Sequence, residues 1–410
     1  MNQWKESRLG DLVDITHGFP FSSAFFSDVP TDHILLTPAN FKPNGGFDDS
    51  KFKYYNATRG PLSPQYILKP GDIIVALTDL SREGSILGCS SRIPVIPYLE
   101  RKKILHNQRI GHVIPKSHKI NSDFLYWLLR SANYRFHIIS TASGSTVKHT
   151  SPRRIKEFCF LLPTKEEQTD IADLLNALEN RIQILERSDA ILEQAVMNYF
   201  QRFFTCSHQW KHKPLNDFGK IVCGKTPPKA VKRFFGGPVP FIKIPDLRRR
   251  VYITRTVDSL TYEGDATQSN KQIPPNSICV SCIATVGLVA ITSTWCHTNQ
   301  QINSIIPYHH WNRYYLYCYF KKMGPQLEAL STGGSTTLNL NTGRFSRLAI
   351  PQPPKPLLEK FYHTVHPFFQ RIMLNDRYTE HLITSMDSLL PGLITGKIRI
   401  KENKNKPLIN

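Results

Sequence analysis

Apolar positions recur at alternating steps of four and three along two long segments of the chain. In the first, the stripe runs Ile171, Leu175, Leu178, Ile182, Leu185, Leu192, Val196, Tyr199 and Phe203, with Asp189 in the missing slot. In the second it runs Leu358, Phe361, Val365, Phe368, Ile372, Leu382, Met386, Leu389 and Leu393, with Asn375 and Thr379 filling the gaps. This is heptad spacing, so each segment predicts a helix with one apolar seam. A helix over residues 164–204 would be roughly 60 Å long at about 1.5 Å per residue, which suits a coiled coil better than an ordinary globular helix. Two matching seams in one chain predict that the helices pair with each other. Antiparallel pairing would bring Asp189 to Asn375 and Thr379 halfway along, and a polar pair in an apolar seam fixes register at some cost in stability. Pro367 lies within the second segment and either kinks that helix or marks its true beginning.

Outside these segments the pattern changes. Residues up to about 157 and from about 207 to 347 carry short β-branched and aromatic runs, such as DIIVAL and VPFIKI, punctuated by proline and glycine. Such runs predict strand-rich mixed domains. The expected organisation is a first strand-rich domain over 1–157, a long helix within 158–206, a second domain over 207–347, a second long helix within 348–400 and a basic tail at 401–410. The fold class is therefore α+β, two strand-rich domains separated by a long antiparallel helix pair.

The two halves are copies. WKESRLGDLVDITHGFP from Trp4 returns as WKHKPLNDFGKIVCGKTPP from Trp210, an offset of 206 residues. YILKPGDIIVAL is echoed by KQIPPNSICVSC with Pro70 over Pro275, and LHNQRIGHVIPKS by HTNQQINSIIPYH with Asn107-Gln108 over Asn299-Gln300. STASGSTV meets STGGSTT, which sets Gly144 over Gly334 at an offset of 190. The falling offset means that the first copy carries extra loop residues, and the whole reads as a pseudo-twofold internal repeat.

The repeat decides the meaning of one motif. Gly219–Thr226 reads GKIVCGKT and satisfies the phosphate-loop pattern G-x-x-x-x-G-K-[ST], which functions only when a strand enters it and a helix starts at the Gly-Lys-Thr. Its copy, VDITHGFP, keeps only the second glycine, and Pro227-Pro228 follow Thr226 where a cradle needs free amides. The match is read as chance. So is Asp217-Phe218-Gly219, a kinase tripeptide without an H-R-D loop to accompany it.

Charge then narrows the partner. Lys and Arg number 52 against 32 Asp and Glu in the 410 residues, a formal net charge of +20, so a polyanion is expected and nucleic acid is the leading candidate. No stretch approaches the roughly 18 apolar residues that cross a bilayer. The start MNQWKESRLG has no apolar core of a signal peptide, so a cytoplasmic location without membrane association is expected. The eight cysteines are scattered, as reduced thiols would be. Cys279 and Cys282 with Cys296 and His297 could form a zinc site only if they converge; the alternative is core thiols on a strand.

GSTVKHTSPRRIKEFCFLLPTKEEQTDIADLL combines a Gly-Ser-Thr that closes the domain, a Leu-Pro step and a Glu-Glu-Gln opening a long helix. This arrangement, and the ending LLPGLITGKIRI, resemble the DNA specificity subunit of type I restriction-modification systems over nearly the whole chain. The second junction, PQPPKPLLEK, departs from the pattern by lacking the Glu-Glu-Gln, which leaves open how that helix is capped. The resemblance implies a subunit without chemistry of its own. Each domain would read half of a split site in double-stranded DNA. The helices would set the spacing and dock two methyltransferase subunits, and a restriction-translocase subunit could join. S-adenosylmethionine, ATP and Mg would be bound by those partners, with no cofactor or metal on this chain. The absence of any N-P-P-[FY] or D-P-P-[FY] tetrapeptide agrees with this.

A half-site reader needs phosphate contacts for position and paired donors and acceptors for base edges. Candidates in the first domain are Asn40, Lys42, Ser81, Arg82, Arg101, Lys102 and Lys103; in the second they are Lys225, Lys229, Lys243, Asp246, Arg248, Arg249 and Arg250. Lys148, His149, Arg153 and Arg154, beside the Gly144-Ser145-Thr146 turn, are expected as phosphate anchors. Two rival functions stand beside this one. Asp49-Ser50-Lys51 gives a D-x-K fragment that could belong to a metal-dependent DNA endonuclease, although the second half has no evident equivalent. A scaffold that uses its charge only for solubility is the other.

Overall fold

The computed structural model describes residues 4–43, 45–50, 52–80, 84–205, 210–331 and 340–400. The chain forms two compact units, one holding the residues up to Glu179 and those from Thr384 onward, the other Asn180–Ile383. Each unit contains one strand-rich domain and a stretch of both long helices, so the division falls inside the helices rather than at the junctions near 157, 206 and 347. The tail at 401–410 lies outside the described residues.

In the first unit, four antiparallel strands lie in the order Val13–His17, Ile110–Pro115, Ile73–Ala76 and Ser90–Arg92. A second sheet runs Phe26–Ser27, Lys53–Tyr55, His33–Leu35, Lys103–Leu105 and Ile67–Leu68, with one parallel pairing between His33–Leu35 and Lys103–Leu105. The second unit repeats the first sheet's order as Gly219–Cys223, Ile302–Pro307, Ile278–Ser281 and Val289–Thr292, and adds Tyr252–Ile253 at the edge. The duplication in sequence is thus a duplication of strand order. A three-stranded sheet of Asp258–Leu260, Phe235–Ile242 and His297–Thr298 completes this domain.

Both domains close on themselves. Lys5–Arg8 pairs antiparallel with Cys159–Leu162, and His212–Pro214 with Ala349–Pro351. Each chain segment therefore leaves its domain beside its entry point and passes directly into a long helix. The first helix is Lys165–Phe203 and the second Lys355–Thr395. Pro367 lies inside the second helix, so it does not mark the beginning.

The Glu-Glu-Gln opening has a physical explanation. Thr164 Oγ1 accepts from the Glu167 amide at 3.3 Å while Glu167 Oε2 accepts from the Thr164 amide at 3.2 Å, a reciprocal cap on two otherwise orphaned donors. Glu167 also accepts from Trp4 Nε1 at 2.8 Å and pairs with Arg399 at 2.7 Å. Gln168 is buried and braces the neighbouring loop, accepting from the Asn121 amide and donating to the Lys119 and Pro163 carbonyls. The second helix does without this cap: the Pro354 carbonyl accepts from the Leu357 and Leu358 amides.

The helices pair antiparallel. In the second unit Phe203 packs edge-on against Phe361 at 5.5 Å, Tyr199 meets Phe368 at 5.9 Å, and Asp189 meets Asn375. Partner numbers rise as the others fall. Val196, Phe361, Val365 and Ile372 are buried in the core that this pairing shares with the aromatic helix Asn312–Ser331.

The four candidate zinc ligands do not converge. Cys282 sits in that aromatic core, whereas Cys279 and Cys296 belong to a separate apolar cluster. His297 is held by Asp265 at 2.6 Å. Burial pushes the Cys279 and Cys282 thiols up to about 12, which keeps them protonated.

Candidate nucleic-acid interface

In the first unit the expected phosphate anchors gather around one turn. Gly144 adopts a φ of +91°, and a Cβ there would lie 2.0 Å from the Val147 carbonyl oxygen, so only glycine fits. The turn is closed by paired backbone hydrogen bonds between Ser143 and His149, and the exposed Ser145 and Thr146 form its crest. Lys148-His149 then pairs with Thr78-Asp79, which places this turn beside the strand that leads to Ser81 and Arg82. Those two residues lie outside the described residues. The short helix Pro152–Lys156 follows, capped by Ser151, and supplies Arg153 and Arg154. Arg154 donates to Ser143 Oγ at 3.1 Å, while Arg153 is 90% exposed and pairs loosely with Glu157.

In the second unit GKIVCGKT does not build a phosphate loop. Gly219–Cys223 is a strand, but no helix starts at Gly224-Lys225-Thr226; the chain runs on through a turn at Lys229-Ala230 to a single helical turn at Lys232–Phe234. The Lys225 amide donates to the Thr298 carbonyl at 3.0 Å and Thr226 Oγ1 to Gln300 at 2.7 Å. The first unit makes the equivalent bond from Phe19 to His106 at 2.8 Å. A Cβ at Gly18 would lie 2.1 Å from the His106 oxygen and one at Gly224 2.2 Å from the Asn299 oxygen. The repeated glycine and the repeated Asn-Gln are thus two loops packed backbone to backbone.

Several expected readers are engaged within the fold. Asn40 and Asp246 occupy equivalent loops and are both buried. Asn40 Oδ1 accepts from the Thr37 amide at 2.9 Å and its Nδ2 donates to the Asp48 carbonyl at 3.1 Å. Asp246 accepts from the Lys243 amide at 2.7 Å and the Val257 amide at 3.2 Å. Lys102 is tied to Asp32 at 2.9 Å and to the Thr31 carbonyl at 3.0 Å, and Lys243 is paired with Asp258. Lys42 is half-buried. Arg101, Lys103, Lys225, Lys229, Arg248 and Arg249 remain exposed. Arg249 holds a left-handed φ of +57°. Of the D-x-K fragment, Lys51 lies outside the described residues.

Arg250 is half-buried, and its charge acts on both Asp246 and the Asp376 carboxyl of the helix seam. The Asp376 carboxyl there is raised to about 7, by burial first and by the Asp189 charge second, while Arg250 pulls it down. Burial likewise raises Asp189 to about 6, against the hydrogen bond from Asn375 Nδ2 at 2.6 Å. Thr379, one turn on, is half-buried. A carboxyl raised on folding contributes fully below its unfolded value near 3.8, and the contribution is lost as pH rises through its folded value. Asp376→Asn, which cannot ionise, should therefore gain on the parent protein between pH 5 and pH 8 by on the order of 2 kcal/mol. Melting curves of both proteins at both pH values check this; a stability difference that does not change between them contradicts it.

Sequence reasoning missed Arg344 and Arg347. They lie on the short helix Thr342–Ser346 and just beyond it, and line a concavity of about 600 Å³ with Leu340, Asn341, Gly343 and Leu348. The signal was present: the offset of 190 that sets Gly334 over Gly144 also sets Arg344 over Arg154. Gly334 itself lies outside the described residues.

Comparison with known proteins agrees with this architecture. The family described as "Type I restriction modification DNA specificity domain" matches twice, over residues 1–194 and 207–382. The type I restriction enzyme HindI specificity subunit of Haemophilus influenzae is 48% identical over 191 residues, 46% of this chain and 42% of that protein. The MjaIX specificity subunit of Methanocaldococcus jannaschii is 24% identical over 78% of this chain and 79% of its own length. The crystal structure of a type I restriction-modification S subunit from M. genitalium superposes with a TM-score of 0.54 over 95% of this chain and 96% of that one, at 14% identity. The fold is therefore that of a two-domain specificity subunit. The chain belongs to the type I restriction-modification DNA specificity family.

Proposed function

We propose that the chain is the DNA-reading subunit of a type I restriction-modification complex and performs no chemistry itself. Each strand-rich domain reads one half of a bipartite duplex site. The helix pair sets the spacing and carries two methyltransferase subunits, and the assembly leaves room for a restriction-translocase subunit to join. S-adenosylmethionine, ATP and Mg are held by those partners, and the complex operates in the cytoplasm. The observation that carries this reading is the duplication. One strand order is built twice, in a chain of net charge +20, and each copy presents an arginine at the same position of the equivalent short helix, Arg154 and Arg344. The middle of the helix pair offers a surface for partners, because Ile184 and Ile191 on one helix and Leu374 and Tyr378 on the other are more than half exposed.

Affinity for duplex DNA, measured across salt concentrations on the assembled complex, tests the reading. Phosphate contacts give a steep fall of log affinity with log salt. A flat dependence would favour the scaffold, and magnesium-dependent cleavage by the chain alone would favour the endonuclease. Lys225→Ala with Thr226→Ala should leave any ATP dependence of the complex unchanged, because the Lys225 amide and Thr226 hydroxyl are committed to Thr298 and Gln300. Loss of that dependence would restore a nucleotide-binding role for the loop.

A further inference from the structure

The two units fasten the segment after their Gly-Ser-Thr sequence in the same way. The Thr150 amide donates to the Leu77 carbonyl at 3.0 Å, and the Leu340 amide to the Cys282 carbonyl at 2.8 Å. One residue on, Ser151 and Asn341 each cap a five-residue helix by accepting from the amide three positions later, that of Arg154 and of Arg344. The next residue, Ile155 or Phe345, is fully buried in both and anchors the helix. These contacts make Arg344 the structural counterpart of Arg154.

The surroundings differ in a way that matters for binding. Arg154 is half-buried and donates to Ser143, and Arg153 has Glu157 beside it. Arg344 and Arg347 are both exposed, have no ion-pair partner among the described residues, and open onto the concavity over Asn341 and Gly343. Thr342 Oγ1 donates to Asn303 Oδ1 at 3.0 Å, which ties the helix that carries Arg344 to the inner strand Ile302–Pro307. Two guanidiniums three residues apart on a rigid mount, with no carboxylate paired to them among the described residues, suit an anionic oxygen that arrives from outside.

We propose that Arg344 and Arg347 grip the DNA backbone beside the second half-site, where Arg344 takes the place that the expected phosphate anchor Arg154 holds beside the first. The ligand is a phosphodiester, so the contact positions the duplex and carries no sequence information. This inference rests on the proposed function.

Its test uses the full chain in complex with its methyltransferase subunits. Arg344→Ala with Arg347→Ala should lower the slope of log affinity against log salt by about 1.8, the loss of two phosphate contacts. The methylated motif should stay the same, and Arg344→Lys with Arg347→Lys should retain most of the slope. Melting curves establish that each variant folds, and the alanine variant should still assemble with the methyltransferase subunits when DNA is absent. An unchanged salt slope in the folded alanine variant overturns the inference. So does loss of assembly without DNA, which would assign the arginines to an acidic surface of the partner. If the parent complex itself shows no salt-dependent binding, the proposed function fails instead, and the two failures are told apart by that control.

Discussion

Exchanging residues of about 207–347 for those of a relative will replace one half of the recognised motif and leave the other half as it was. The basis is that each domain is complete within its own unit. In the second, the first and last strands, His212–Pro214 and Ala349–Pro351, pair with each other, so the chain enters and leaves at one point. The exchanged segment carries its own sheet order and its own buried brace at Asp246. The expected effect is all or none on that half, because a mismatched base pair costs about 1–3 kcal/mol and a new half-site differs at several positions. Mapping of modified sites checks it, and a change in both halves would defeat the modular reading.

The second large effect concerns register. Asn375→Leu alone leaves the Asp189 carboxyl in an apolar seam without its donor, which should cost on the order of 2–3 kcal/mol. Asp189→Leu together with Asn375→Leu removes both polar groups and also the charge that raises Asp376. That double variant should melt at or above the parent temperature. It should also accept a wider range of spacers, since sliding one helix by a heptad, roughly 10 Å, corresponds to about three base pairs. Thermal melts of the three proteins and the spacers of their modified sites decide it. A double variant less stable than Asn375→Leu, or with unchanged spacer stringency, would refute the register role.

The architecture was legible wherever a residue's role is set by its neighbours in sequence. Heptad steps announced both helices, and the slots left for Asp189 and Asn375 announced where they meet, because an antiparallel seam allows little else. Gly18 and Gly224 were legible as retained punctuation, and the structure supplies the cause in two carbonyl oxygens that leave no room for a Cβ. The interface was less legible. Asn40 and Asp246 look like readers because polar side chains in proline-rich loops so often are; each also caps a short turn by accepting the amide three residues earlier, and the burial that goes with it is set by the fold. Lys102 and Lys243 could not be told from free lysines, since the carboxylates that hold them, Asp32 and Asp258, reach them through strand pairing. The Asp376 carboxyl on the second helix, on which the Arg250 charge acts, lies far along the chain, so that influence was not legible either.

The central claim, that one chain reads two half-sites at a spacing set by its helices, is tested most directly by one measurement. The chain is produced together with its cognate methyltransferase subunit in a host without other DNA methylation, and modified bases are mapped across the genome. The account predicts a single bipartite motif, two short specific halves separated by a fixed unspecified spacer. A continuous motif, or methylation that requires the methyltransferase alone, would contradict it.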